Sequence, residues 1–240
     1  MEPTEKSWSL NGVDFTLELW PGKVFVPTTV SELMAKNLGT VPEGAVVIDM
    51  GCGSGFFAVL TTRMGASKVY AVDVMREAVE LTKRNVARNG VADRVDVRCG
   101  SLFEPIADVK ADLILIDVSG IPARLSRLTP WYPGAIATAS EDGTEPTITA
   151  LKQARDHLLP GGRLLFASGS LQNEKPILQA AQELFQNNLR LLTERVIPVT
   201  GQLRAALDQC LDLIDRGIIS LVERHGRNYW WLRIHEASLR

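Results

Sequence analysis

The chain has 240 residues, a formal net charge of −2, and 45% hydrophobic against 22% charged residues. These values are ordinary for a soluble globular protein, and they argue against a surface that tracks the phosphate backbone of duplex DNA. The three cysteines, Cys52, Cys99 and Cys210, are few and odd in number, so they imply no disulfide framework. They also lack metal-ligand spacing, so they indicate no metal site.

The first residues lack the basic and apolar segments of a signal peptide, and no run in the chain approaches 18 apolar residues. We therefore expect a cytoplasmic protein with no membrane partner. Nothing in the sequence indicates an oligomeric state.

The N-terminal segment predicts a hairpin. Two alternating stretches flank Asn11-Gly12, a pair that suits a type I′ turn. A short helix is expected from about Ser31 to Asn37, with Ser31 near its start. We expect a single domain, in which residues 1–40 cover the substrate side and residues 41–240 form the cofactor-binding core.

From Ala45 onward, apolar strands and amphipathic helices alternate, which predicts an α/β, doubly wound, mostly parallel seven-stranded sheet. The expected parallel strands lie near 46–50, 68–73, 95–99, 112–117 and 163–168. The expected helices of this unit lie near 55–64, 76–89, 145–158 and 175–186. The C-terminal part predicts strands near 190–198 and 229–236, separated by one helix near 202–215.

The most informative motif is the glycine loop after the first strand of the sheet. Gly51, Gly53 and Gly55 remove every Cβ where the chain turns from strand to helix, so a ligand can lie against bare backbone at a helix N-terminus. Asp73 ends the next strand, where a carboxylate can accept hydrogen bonds from ribose hydroxyls. The pattern predicts a ligand with an adenosine-like ribose.

The glycine spacing alone is compatible with a dinucleotide, because Gly55 and Ala58 fill a Gly-x-Gly-x-x-Gly/Ala frame that begins at Gly53. Asp49, however, precedes the loop as an anion, which repels a pyrophosphate and suits a cationic ligand. The resulting Asp-x-Gly-x-Gly-x-Gly resembles the first motif of the class I S-adenosylmethionine-dependent methyltransferases. Later segments extend the resemblance: residues 69–73, 100–105, 112–117 and 159–165.

The resemblance implies S-adenosylmethionine as cofactor and a Rossmann-like methyltransferase fold. The implied cofactor-binding residues are Asp49, Gly51, Cys52, Gly53, Gly55, Asp73, Val74, Ser101, Leu102 and Asp117. For Asp49 a structural alternative stands beside this role, as a buried acid that caps the loop amides. Glu104 is the alternative to Ser101 for the contact with the adenine amino group.

Within this class the chain is nearest in pattern to the release-factor glutamine methyltransferases, through residues 21–33 and the Asp-Gly-Thr-Glu-Pro stretch 142–146. It departs from them at the fourth strand, which ends in Asp117-Val-Ser119-Gly instead of Asn-Pro-Pro-Tyr. Asp117 and Ser119 are the candidate catalytic residues. Asp117 either orients or deprotonates the acceptor, or it only fixes the loop and holds the cofactor.

The segment between Asp117 and Glu145 is long and contains Trp131 and Tyr132, which we expect to bind substrate as part of a lid. His235 lies on the last strand, where a surface role is the default expectation.

The sequence therefore predicts methyl transfer to an N or O, less readily C, acceptor on a small molecule or peptide, with nucleic acid disfavoured. The alternatives are a protein glutamine or RNA methyltransferase, a nucleotide-dependent oxidoreductase, and a cofactor-binding subunit without catalysis.

Overall fold

The computed structural model describes residues 2–129, 140–186 and 188–239. The chain begins with the predicted hairpin, strands β1 (Thr4–Leu10) and β2 (Val13–Leu19), paired antiparallel. Asn11 and Gly12 both have positive φ angles, 52° and 76°, as a type I′ turn requires. The prediction of the hairpin is confirmed.

A mixed sheet of eight strands forms the centre of the molecule, in the order β5-β4-β3-β6-β7-β10-β8, with β9 paired to β10. Strands β3 to β7 are parallel, whereas β10 runs antiparallel to β7, β8 and β9. Their bounds are β3 Val46–Met50, β4 Lys68–Asp73, β5 Val95–Cys99, β6 Ala111–Ile116, β7 Leu158–Gly169, β8 Leu189–Pro198, β9 Val222–Arg224 and β10 Arg227–Ser238. The mostly parallel sheet of seven strands is confirmed, and β9 is a short addition.

Helices cover both faces of the sheet, since alternate residues of the buried strands point to opposite sides. Val47 and Leu113 pack with the hairpin and α2, whereas Ile48 and Ile114 pack with α5 and α6. The helices of the described ranges are α1 Thr29–Lys36, α2 Phe56–Arg63, α3 Arg76–Arg88, α4 Ala123–Leu128, α5 Glu145–His157, α6 Glu174–Phe185, α7 Gly201–Asp208 and α8 Leu211–Asp215, with a 3₁₀ turn at Glu104–Ile106. None of these helices is both long and apolar enough to cross a membrane.

Two expected boundaries differ from the structure. Helix α1 begins at Thr29 because Thr28, not Ser31, caps it through a hydrogen bond from the Val30 amide. The single helix expected near 202–215 is two helices that break at Cys210. Leu213 packs into a small apolar cluster with α4 and α7, whereas Leu211, at the start of α8, is 57% exposed.

Candidate functional site

A cavity of about 580 Å³ opens at the carboxyl ends of β3, β4, β6 and β7, where ligands bind in open α/β sheets. Eight residues predicted for cofactor or catalysis line it: Gly51, Gly53, Asp73, Val74, Ser101, Leu102, Asp117 and Ser119. Three other predicted residues, Asp49, Cys52 and Gly55, lie outside the lining. Trp131 and Tyr132 lie outside the described residues.

The glycine loop brings bare backbone close to the opposite wall of the cavity. Gly51 has a φ of 80°, and a Cβ added there would lie 2.7 Å from the Asp117 carbonyl oxygen. Any side chain would therefore close the cavity or push the two strand ends apart. Gly55 has a different function, because it lets α2 approach Thr82 of α3, only 3.0 Å from the position of an added Cβ.

Asp73 is held at the edge of the cavity by backbone amides. Its Oδ2 accepts a hydrogen bond from the Gly53 N–H and its Oδ1 accepts one from the Met75 N–H, both at 2.9 Å. Burial raises the pKa of this carboxyl above its usual value, against the effect of these hydrogen bonds. The carboxylate is thus oriented before any ligand binds.

Asp49 lies completely buried beneath the loop. Its Oδ2 accepts a hydrogen bond from the Ala58 N–H in the first turn of α2, at 2.9 Å. This is the contact expected if Asp49 is a buried acid that caps backbone amides. Its Oδ1 has no hydrogen-bond partner among the described residues. Burial, reinforced by the nearby charge of Asp117, raises the pKa of Asp49 to about 8. Direct contact of Asp49 with a cofactor stays a prediction.

Cys52 is also buried, and its sulfur accepts a hydrogen bond from the Thr82 hydroxyl at 3.4 Å. Its predicted cofactor contact is not tested by this geometry. On the far wall, Leu102 adopts a left-handed φ of 46°, an uncommon conformation for a branched side chain, beside the exposed Ser101. Glu104, the alternative to Ser101, does not line the cavity.

Asp117 directly follows β6 and faces the cavity. Its Oδ2 accepts a hydrogen bond from the Ser31 hydroxyl at 2.7 Å, so helix α1 is tied to the end of this strand. Burial raises the pKa of Asp117 to about 6, and the hydrogen bond from Ser31 opposes that rise. Ser119 lines the same wall two residues later.

Several residues of the cavity were not anticipated from the sequence. Ser31 was predicted only as a helix start, yet it is the hydrogen-bond partner of Asp117. Phe25 and Thr28–Val30 line the cavity between the hairpin and α1, and Thr147, Gln172 and Trp230 line the side opposite Asp73. The turn that contains Gln172 follows β7, so the rule that ligands bind at the carboxyl ends of strands could have indicated it.

The carboxylates and the glycine loop of the cavity fit a ligand that carries a positive charge and a ribose. Asp73 and Asp117 bring two carboxylates to the wall, a third lies buried behind them at Asp49, and Gly51 and Gly53 leave room for a ligand against the loop. Asp49, with a pKa of about 8, is mostly protonated at pH 7, so the charge comes from Asp73 and Asp117. A pyrophosphate would be repelled by these two carboxylates, whereas sulfonium and amino groups are attracted to them. S-adenosylmethionine therefore fits the residues present.

Comparison with known proteins agrees with this chemistry. A family model described as ribosomal protein L11 methyltransferase (PrmA) matches residues 16–128. A ribosomal protein L11 methyltransferase of Shouchella clausii is 35% identical over 120 residues, which are 48% of this chain and 38% of that protein. A release factor glutamine methyltransferase of Geobacter sulfurreducens is 34% identical over 170 residues, 68% of this chain and 58% of that protein. The chain thus spans from about two fifths to three fifths of the length of these relatives.

Solved structures share the fold. A ribosomal protein L11 methylase from Lactobacillus delbrueckii superposes with a TM-score of 0.58 at 20% identity, covering 92% of this chain and 84% of that one. A Thermus thermophilus 16S rRNA N2 G1207 methyltransferase, solved with S-adenosylmethionine and guanosine, gives 0.64 at 18% identity, covering 99% of this chain and 51% of that one.

The names of these proteins correct the expected partner. The expected small-molecule acceptor is wrong, because the relatives by sequence are named for ribosomal protein L11 or a release factor, which are proteins. The charge argument against nucleic acid also loses its force, since solved structures with this fold include rRNA and tRNA methyltransferases. The fold, the glycine loop and the relatives together make this chain similar to the class I S-adenosylmethionine-dependent methyltransferases.

Proposed function

We propose that this protein transfers a methyl group from S-adenosylmethionine to a nitrogen of a protein of the translation machinery, with ribosomal protein L11 as the first candidate. The family model over residues 16–128 carries this proposal, because it spans the end of β2, the glycine loop, Asp73 and Asp117 in one match. Relatives from several bacteria are also named ribosomal protein L11 methyltransferase.

Each cavity residue has a role in this proposal. Asp73 accepts hydrogen bonds from the ribose hydroxyls, and Gly51 and Gly53 let the cofactor lie against the loop backbone. S-adenosylmethionine supplies an electrophilic methyl group on a cationic sulfur. Asp117 orients the attacking nitrogen through a hydrogen bond or accepts its proton, while the walls of the cavity keep water from the reacting atoms.

The test is transfer of a radioactive methyl group from labelled S-adenosylmethionine to purified ribosomal protein L11. We expect wild-type protein to label L11 and Asp73→Ala to label it far more slowly at low cofactor concentration. Purified rRNA and tRNA serve as competing acceptors in parallel reactions. Labelling of RNA with none of protein would contradict the proposal.

A release factor is the second candidate, favoured by one observation. The Geobacter sulfurreducens relative is 34% identical over 68% of the chain, whereas the ribosomal protein L11 methyltransferase of Pelotomaculum thermopropionicum, which matches 76% of the chain, is 29% identical. The same assay with a purified release factor separates the two candidates, and mass spectrometry of the labelled peptide identifies the modified residue. We rank L11 first because the chain lacks the Asn-Pro-Pro-Tyr motif of the release-factor glutamine methyltransferases.

A further inference from the structure

Two mostly buried polar side chains line the cavity, and their polar atoms are accessible from it. Gln172 and Thr147 are 8% and 3% exposed, and neither side chain forms a hydrogen bond within residues 2–129, 140–186 and 188–239. Gln172 follows β7, whereas Asp73 ends β4 on the other side of β3 and β6. The accessible amide and hydroxyl can therefore form hydrogen bonds with a polar group that enters the cavity away from Asp73.

The structure around Gln172 fixes its position. Its backbone N–H donates to the Gly169 carbonyl, and the preceding Leu171 is buried in the apolar cluster of α4 and α7. The following Asn173 donates its N–H to the Asp142 carbonyl. With both neighbours anchored, the Gln172 amide is aimed into the cavity and has little freedom to leave it.

The space in front of the pair depends on Gly120. A Cβ added to Gly120 would lie 2.6 Å from Gln172 Oε1 and 3.7 Å from Thr147 Oγ1. Gly143 packs behind this loop, since a Cβ there would lie 2.8 Å from the Ile121 carbonyl carbon. The loop after Asp117 is therefore closely packed against Gly143. Because Gly120 has no side chain, space remains between Asp117 and the Gln172–Thr147 pair.

We propose that Gln172 and Thr147 bind the methyl-acceptor group, which enters over Gly120. Gln172 Oε1 accepts a hydrogen bond from the acceptor N–H, Thr147 binds a neighbouring polar atom, and Asp117 faces the same group from the other side. This inference rests on the proposed function, and it identifies what replaces the absent Asn-Pro-Pro-Tyr. The pair orients the acceptor and takes no proton.

The test compares Gln172→Ala and Gly120→Ala with the control Gln182→Ala, an exposed glutamine on α6 that lies away from the cavity. Steady-state methyl transfer to purified L11, or to whichever acceptor the wild type labels, gives kcat and KM, and calorimetry gives the affinity for S-adenosylmethionine. We expect each cavity variant to lower kcat/KM for the acceptor by at least about tenfold, with cofactor affinity within about twofold. Gly120→Ala displaces the amide that Gln172→Ala removes, so the double variant should lose little more than either alone.

The outcomes separate this inference from the proposed function. Labelling of RNA alone refutes the proposed function, and the same variants then test the pair on RNA. Unchanged acceptor kinetics in Gln172→Ala, or a cofactor affinity that falls together with kcat/KM, would overturn the assignment of the pair. An acceptor loss as large in Gln182→Ala would also overturn it, and the absence of any labelled acceptor would refute both proposals.

Discussion

Asp73 is the residue for which sequence and geometry agree most closely, because its carboxylate is already oriented by the Gly53 and Met75 amides. Replacement by alanine removes the charge and the hydrogen bonds proposed for the ribose, a loss of roughly 2–4 kcal/mol. We expect Asp73→Ala to weaken S-adenosylmethionine binding at least ~30-fold in calorimetry. Asp93→Ala is the control, since Asp93 is exposed in the turn before β5. Equal affinity of folded Asp73→Ala and wild type would exclude the ribose role.

Asp117 gives a prediction that depends on pH. Burial raises its pKa to about 6, so the carboxyl is ionised above that pH and protonated below it. If the ion orients or deprotonates the acceptor, kcat/KM falls as the pH drops through about 6, and Asp117→Asn removes that acidic limb. Ser31→Ala should shift the limb to higher pH, because the hydrogen bond from Ser31 stabilises the ionised form.

The measurement is the pH profile of kcat/KM at saturating cofactor, with cofactor affinity determined for each variant. Asp117→Asn is expected to keep cofactor affinity within a few-fold while turnover drops. A parallel loss of both would favour the alternative, in which Asp117 only holds the loop and the cofactor.

At the scale of elements, Asn85 of α3 joins the hairpin to the cofactor loop. Its side-chain amide donates to the carbonyls of Glu18 and Ser54 at 2.9 and 2.8 Å, and its oxygen accepts from the Glu18 N–H at 2.8 Å. Asn85→Ala leaves these backbone groups without their partner, which should cost about 2–4 kcal/mol of unfolding free energy.

Urea denaturation of Asn85→Ala measures that cost. Asn228→Ala is the matched control, because Asn228 is exposed on β10, and it should change the unfolding free energy by no more than about 0.5 kcal/mol. A small effect of Asn85→Ala would show that apolar packing alone holds the hairpin. Whether residues 1–40 cover a substrate stays a prediction, since within that range only Phe25 and Thr28–Val30 line the cavity.

The elements that the sequence predicted best have local signals. The hairpin follows from Asn11-Gly12, and the parallel strands follow from short apolar runs between helical patterns. The break at Cys210 had no such signal, because apolar spacing is the same in one bent or two separate helices. The partners of Asp117 and Glu18, namely Ser31 and Asn85, lie 86 and 67 residues away from them in sequence, and only the folded topology brings them together.

At the scale of the whole molecule, one buried histidine links stability to pH. His235 was expected at the surface, but it is 4% exposed, and its Nε2 lies 2.8 Å from Ser168 Oγ at the junction of β7 and β10. Ser168 donates to Glu174, which also accepts from Arg233. The expectation failed because β10 is an inner strand with β8 at its outer side, a position that its sequence alone does not reveal.

Burial lowers the pKa of His235 from 6.5 to about 4, an effect that outweighs the attraction of Glu174. Above pH 6.5 the imidazole is neutral in both the folded and the unfolded chain. As the pH falls towards 4, the unfolded chain takes up a proton that the folded chain does not, and stability declines by up to about 3 kcal/mol. The carboxyls of Asp49, Asp73 and Asp117 have raised pKa values and act in the opposite direction, so wild type alone cannot isolate the histidine.

The comparison with His235→Gln isolates it, because glutamine does not titrate and all three carboxyls remain in each protein. The unfolding free energy in urea, measured at several pH values between about 7 and 4.5, gives one curve for each protein. Glutamine can still offer an N–H to Ser168, so the variant should fold, although with a different stability at neutral pH. Below about pH 6.5 the wild-type curve should fall relative to the variant curve. Parallel curves would mean that His235 protonates in the folded state as readily as in the unfolded chain, and that the β7–β10 junction admits water.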